Sequence, residues 1–339
     1  MKFEWFKQNS NLILIVILVV GIVGLTLSSL LLILENNKEL PLSSGEVLYL
    51  NELTGLMSHF KVSTNPVAVM IENATEIRPQ SGLSEAEIVY EALVEGGITR
   101  FMAVYNFENL AKKIGPVRSV RPYFLDWAEE YQPAFFHVGG SPQALETIAD
   151  YSIIDINEMG ANEIYFLRGI RSAWPHNVYT NSSLWQTIPE LESRKIDFEP
   201  WQFIKVNEIF CPTDGQEIII DFSYFNYQVK WVYDCQFGSY QRFNGGQEHL
   251  DENGVQLITD KVIIQFVKSW LIDIERLGMQ TTGEGKALIF QNGQVTEGSW
   301  QKKEQESRTK FLNIEGEEVL FIPGKTWLEI VPPLTNIDY

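Results

Sequence analysis

From Leu12 to Leu34 the chain carries 23 consecutive residues without a charged side chain, and this run constrains the architecture more than any other feature of the 339 residues. At about 1.5 Å of rise per helical residue it can cross a hydrocarbon core of about 30 Å. The run is longer than the apolar part of a secretory signal, no A-x-A-like cleavage site follows it, and no cysteine lies near it for lipid attachment. Lys2 and Lys7 precede it, while Glu35, Glu39 and Glu46 follow; this asymmetry predicts a cytoplasmic amino terminus. The sequence therefore reads as residues 1–11 in the cytoplasm and an uncleaved single-pass signal anchor over 12–34. A polar spacer over 35–65 then leads to an extracytoplasmic body.

The body is acidic. With a net charge of −18 and a pI near 4.7, bulk electrostatic binding to nucleic acid is excluded as a main activity. Cys211 and Cys235 are the only cysteines, too few for a disulfide scaffold. They either pair across a turn at Gly215 or stay as separate buried thiols, and neither has a histidine at metal-ligand spacing.

Residues 66–207 read as an α/β (or α+β) domain with a mixed sheet. Pro66–Asn73 (PVAVMIEN) is a short apolar run, the pattern of a buried strand that delivers Glu72 and Asn73 to a surface. Glu87–Glu95 and Ile98–Asn106 are strand-like and flank Gly96-Gly97, a pair suited to a primed hairpin turn. Lys113–Val117 reads as a further short strand. Arg121-Pro122 opens a helix over RPYFLDWAEEY, with proline at an early position where its missing N–H costs nothing. Pro133–Gly140 reads as a second buried strand running into glycines, and Ser141-Pro142 caps the helix that follows. Ser182 or Ser183 is expected to cap a short helix reaching Leu191. Residues 208–339 alternate in β-rich runs punctuated by Gly and Asn, which predicts a mostly antiparallel, β-rich carboxy-terminal domain.

The chemistry concentrates around KIGPVRSVRPYFLD, Lys113–Asp126. Six of the ten arginines, Arg78, Arg100, Arg118, Arg121, Arg168 and Arg171, lie in the same part of this acidic chain. A guanidinium grips phosphate or carboxylate through two parallel hydrogen bonds, so arginines beside two helix entries point to an anion site. The expected ligand set is Arg78, Arg100, Arg118, Arg121, Arg168, His176 and Asn177, with Gly140 and Ser141 at the second helix entry. Glu72 and Asp126 are candidate ligands for Mg²⁺ against a diphosphate. The competing reading pairs these arginines with Glu72, Glu85, Glu87, Glu91, Glu95 and Asp126, with Glu91 and Glu95 facing Arg100 across the hairpin. His137, inside an apolar strand, reads as a core histidine, and the nine tryptophans read mainly as core. The chain contains no G-x-S-x-G, H-E-x-x-H, Walker or dinucleotide motif, so no catalytic residue is assigned.

These segments resemble the YerB-like lipoprotein family of two-domain bacterial envelope proteins of unknown function. The resemblance rests on PVAVMIEN, RPQSGLSEAEIVYEALVEGGITRFMAVY, KIGPVRSVRPYF, HVGGSPQAL and PHNVYT in the first domain. DKVIIQFVKSW, GEGKALIFQNGQVTEGSWQKK and IPGKTWLEIVPP carry it in the second. It implies a cell-envelope location, although this chain has an apolar anchor where the family carries a lipobox cysteine. More faintly, Pro66–Asp155 is similar to the LytR-CpsA-Psr family, which transfers glycans from polyprenyl pyrophosphate with arginines and Mg²⁺. Ser119 stands where that family has an acidic residue, and Glu72 or Asn73 where it has the strand-end aspartate. Three functions follow as expectations: a binder of an anionic envelope glycan or lipid carrier, an Mg²⁺-dependent glycan phosphotransferase, and a non-catalytic docking module.

Overall fold

The computed structural model describes residues 48–59, 65–170, 173–194, 196, 198–204, 208–213 and 215–339. The predicted anchor, most of the spacer and Arg171 lie outside the described residues. Among the described residues no helix is long and apolar enough to cross a membrane.

A ten-stranded mixed sheet organises the body. Its first-half strands are β1 (Pro66–Glu72), β2 (Ile88–Leu93), β3 (Thr99–Asn106), β4 (Ala134–His137) and β5 (Ile154–Asn157). Every residue of β1 to β4 is buried, which is why their sequences run apolar without alternation. Gly96 and Gly97 both take positive φ, 68° and 72°, as the turn between β2 and β3 requires. Helix α1 (Pro122–Glu129) has Arg121 as its N-cap residue. Helix α2 (Pro142–Thr147) is capped by Ser141, whose hydroxyl accepts from the Ala144 N–H at 3.3 Å. The short helix Ser182–Trp185 is instead capped by Asn181, which accepts from Leu184 N–H at 2.9 Å. Lys113–Val117 does not form a strand: Ile114, Gly115 and Val117 make isolated bridges to Thr180, Ser81 and Ile71.

The second half contributes two kinds of strand. Strands β6 (Glu217–Asp221), β7 (Gln228–Asp234) and β8 (Ser239–Asn244) form a smaller antiparallel sheet. Strand β9 (Lys261–Phe266) belongs to the large sheet, whereas β10 (Ser269–Leu271) and β11 (Leu277–Met279) make a separate hairpin. Strands β12 (Gly283–Gln291), β13 (Gln294–Lys302), β14 (Lys310–Asn313) and β15 (Thr326–Val331) complete the large sheet. Its order is β14-β13-β12-β9-β15-β2-β3-β1-β4-β5, so the two halves share one sheet joined where β15 runs parallel to β2. The carboxy-terminal part of the predicted spacer also packs into the body, with Leu53 and Thr54 buried and the Gly324 N–H donating to the Thr54 carbonyl at 2.8 Å. Cys211 and Cys235 are disulfide-bonded, with Cα atoms 5.3 Å apart.

The smaller sheet is fastened to the large one through a buried polar network. Arg242 of β8, fully buried, donates to Glu329 of β15 at 2.8 Å, to Glu91 of β2 and to His249 Nδ1 at 3.0 Å. Its guanidinium lies 4.4 Å from the Trp327 ring centre, a cation–π contact strengthened by the absence of water.

Candidate functional site

Strand β1 ends at Glu72 and β3 begins beside it, because Glu72 and Arg100 are register partners. The Arg118–Arg121 loop crosses the same end: Arg118 N–H donates to Met70 C=O at 3.0 Å and Val138 N–H to Arg118 C=O at 3.1 Å. This threading fixes Arg100, Arg118 and Arg121 on one cleft of about 460 Å³, with Glu72, Asn73, Thr99, Ser141 and Arg276 also in its wall.

The three arginines differ in what holds them. Arg121 makes two hydrogen bonds to Glu95, at 2.5 and 2.8 Å; burial opposes ionisation of that carboxyl, but the arginine outweighs it and holds it below the ordinary range. Arg118 Nε stands 3.3 Å from Glu72 Oε1 without the alignment of a hydrogen bond. The other Glu72 oxygen is 2.8 Å from His176 Nδ1. Arg100 reaches only the Ser119 carbonyl, at 2.6 Å, and has no carboxylate partner among the described residues. Burial first, and then Arg121 and Arg118, push its guanidinium down to about 10. The cleft wall holds Arg100, Arg118, Arg121 and Arg276 against Glu72, Glu95 and Glu275, four cations to three anions.

Other predicted residues lie elsewhere. Arg78 lines a second cleft of about 420 Å³ with Asn226, Asn244 and His249; it connects to the first through Asn73, whose Oδ1 accepts from Arg78 Nε at 2.9 Å. Arg168 pairs with Glu158. The Asn177 carbonyl accepts from Gly169 N–H at 2.7 Å. Gly140 bridges Val120, and a β-carbon at that glycine would fall 2.8 Å from Val120 Cγ1. His137 is fully buried between the Gly139 carbonyl, at 2.8 Å, and Asp155, at 2.7 Å.

The expected pairing of Glu91 and Glu95 with Arg100 does not form: Glu91 bonds Arg242 and Glu95 bonds Arg121. Nor do Glu72 and Asp126 converge. Asp126 accepts hydroxyls from Tyr151, at 2.7 Å, and Thr281, at 2.6 Å, in a neighbouring cleft. Among the described residues no three His, Cys, Asp or Glu side chains are grouped, and Glu72 and Asp126 line different hollows, so the two do not share one Mg²⁺ site.

Sequence reasoning brought Asn73 to the end of β1 without naming it a ligand, and did not find Thr99 and Arg276 as cleft residues. Asn73 donates to Thr99 at 2.7 Å, Thr99 donates to Glu91 at 2.6 Å, and Gln80 joins Asn73 to His249 at 2.9 Å on each side. Both clefts thus rest on the same buried network as Arg242. The polar end of PVAVMIEN was the available signal for Asn73; Arg276, distant in sequence, carried none.

Comparison with known proteins gives two matching family models. Residues 53–195 match the amino-terminal domain, and residues 218–328 the carboxy-terminal domain, of a protein of unknown function (DUF3048). A Bacillus subtilis protein named "Putative lipoprotein YerB" is 33% identical over 289 residues, covering 83% of this chain and 86% of that protein. A crystal structure of the YerB protein from Bacillus subtilis aligns with a TM-score of 0.75 at 32% identity, covering 86% of this chain and 99% of that one.

Proposed function

Because the chain belongs to the YerB-like family of two-domain proteins, we propose that it is a membrane-anchored extracytoplasmic protein whose arginine cleft binds the phosphate or pyrophosphate group of an envelope glycan or lipid-carrier ligand. The observation that carries this reading is Arg100. It is a buried guanidinium with one carbonyl partner, beside two further arginines and with Glu95 acting on it only at a distance, and an incoming oxyanion would supply a counter-charge in direct contact. The Cys211–Cys235 disulfide agrees with an oxidising exterior, and the 12–34 run supplies the anchor. The reading needs no metal and assigns no catalytic residue.

The test is a pyrophosphate titration of the full chain. Arg100→Gln and Arg118→Ala are each expected to weaken binding at least tenfold, as loss of a charge-assisted hydrogen bond worth about 1.5–3 kcal/mol implies. Undiminished affinity in both variants would remove the cleft as the anion site.

A further inference from the structure

Six tryptophans among the described residues are core, whereas Trp270, on the β10–β11 hairpin outside both main sheets, is 53% exposed. Its register partner is Gly278. A β-carbon on that glycine would stand 2.5 Å from indole Cε2, 2.6 Å from Nε1 and 2.8 Å from Cζ2. The ring-junction carbon Cε2 comes nearest only to a group standing over the ring face, because beyond the edge Nε1 or Cζ2 would lead. Glycine alone leaves room there, so the indole lies across the hairpin with one face on backbone and the other toward water. Among the described residues no second ring stacks on it and its N–H has no acceptor.

Trp270 borders the hollow that also holds Asp126, of about 350 Å³, a size within the range of small-molecule sites. The wall is chemically mixed: Ile272, Leu277 and Met279 stand beside Gln143 and Asp126, and no cation lines it among the described residues. The Gln143 side chain is exposed and has no partner there, so its amide offers both a donor and an acceptor. Asp126 accepts one hydroxyl on each oxygen, from Tyr151 at 2.7 Å and from Thr281 at 2.6 Å. Each oxygen keeps a second lone pair, so a carboxylate already dressed by hydroxyls has room for another.

We propose that this hollow is a binding site for an uncharged saccharide, with a pyranose ring lying on the bare face of Trp270 and its hydroxyls reaching Gln143 and Asp126. A pyranose shows aliphatic C–H groups on its faces and hydroxyls around its rim, which matches an aromatic platform flanked by an amide and a carboxylate. Other ligand classes fit less well. A phosphate finds no cation here and meets Asp126, and an apolar chain would take the polar groups of Gln143 and Asp126 out of water without replacing their hydrogen bonds. The site needs no charge on its ligand, so it stands or falls separately from the arginine cleft.

The experiment titrates the full chain, in phosphatidylcholine nanodiscs, with two uncharged β-linked hexasaccharides, cellohexaose and chitohexaose, followed by calorimetry. At least one should bind, and Trp270→Ala should weaken it about tenfold, the scale of a lost aromatic contact. Trp270→Phe keeps a ring over Gly278 and should restore affinity to within about threefold of the wild type. Gly278→Ala leaves the tryptophan in place but displaces its ring, and should weaken binding as Trp270→Ala does. Loss of one neutral hydrogen-bonding side chain in Gln143→Ala should cost about fivefold. Arg118→Ala, in the other cleft, should change saccharide affinity by less than about twofold. Trp270 and Gln143 are exposed, so unchanged thermal unfolding of their variants separates lost binding from lost folding. No binding of either hexasaccharide at about 10 mM, or binding indifferent to Trp270→Ala, overturns the proposal. Trp270-dependent binding of an uncharged Gly-Ser hexapeptide with neither sugar bound overturns it as well and gives the hollow to peptide.

Discussion

Glu91 and Glu329 face each other on the adjacent parallel strands β2 and β15. Both are fully buried and both touch Arg242. One guanidinium neutralises one carboxylate, so a second ionised carboxylate would be an uncompensated buried charge. Burial first, and then the charge of Glu91, push Glu329 up to about 8 in spite of Arg242, from the ordinary 4.5. Between these two values the folded protein keeps a proton that the unfolded chain releases. Stability contributed by this group is therefore intact below pH 4.5 and falls as pH rises, by roughly 1.4 kcal/mol per unit, until about pH 8. From pH 5 to pH 7.5 the loss is about 3 kcal/mol. Glutamine reproduces the protonated form, since its carbonyl can accept from Trp231 and Arg242 as Glu329 Oε1 does at 2.8 Å. Urea unfolding across this range should show Glu329→Gln gaining on the wild type by about 3 kcal/mol as pH rises, with unchanged m values. A stability difference that stays constant from pH 5 to pH 8 would refute the account of a proton retained on Glu329, whatever its size.

Two further predictions concern the same body. Replacing both Cys211 and Cys235 by serine, which opens a loop of 24-residue separation, should cost about 3 kcal/mol; reduced wild type should match the variant in denaturant, and a difference between them would contradict the loop-closure origin. Glu130 receives Lys302 at 2.9 Å, Arg308 at 2.8 Å and Thr309 Oγ1 at 2.5 Å with essentially no exposure. Glu130→Ala therefore strands two buried cations and should lose about 3–5 kcal/mol by chemical denaturation, and a loss below about 1 kcal/mol would mean that water enters to rescue them.

The local parts of the fold were readable where a short segment determines its own geometry. PVAVMIEN forms β1 over Pro66–Glu72, the Gly96-Gly97 turn joins two strands, and proline and serine mark the starts of α1 and α2. Contacts between distant segments were not readable. Nothing local says that Thr326–Val331 pairs with Ile88–Leu93, so the single sheet shared by both halves stayed hidden. Arg242 sits in an alternating strand, where such a residue ordinarily faces water; only the arrival of Glu91 and Glu329 from elsewhere makes it core. The cleft was partly legible because Arg118 and Arg121 share a loop. Arg78 and Arg168, predicted from the same clustering, go to a different cleft and to Glu158, since proximity in sequence does not set the direction of a side chain.

The placement of β15 between β9 and β2 has a consequence for how the chain is made. A ribosome delivers β2 early and β15 late, and in the interval β2 has β3 on one side and an unpaired edge on the other. Such an edge is a template for any passing strand. The nascent amino-terminal half is therefore a sticky intermediate, protected only by whatever shields it until Thr326 emerges. Expressing that half alone makes the exposure permanent, so self-association is its expected fate. The boundary that divides the sequence into two family domains is thus a line of inheritance, and the unit that must be born whole is the sheet.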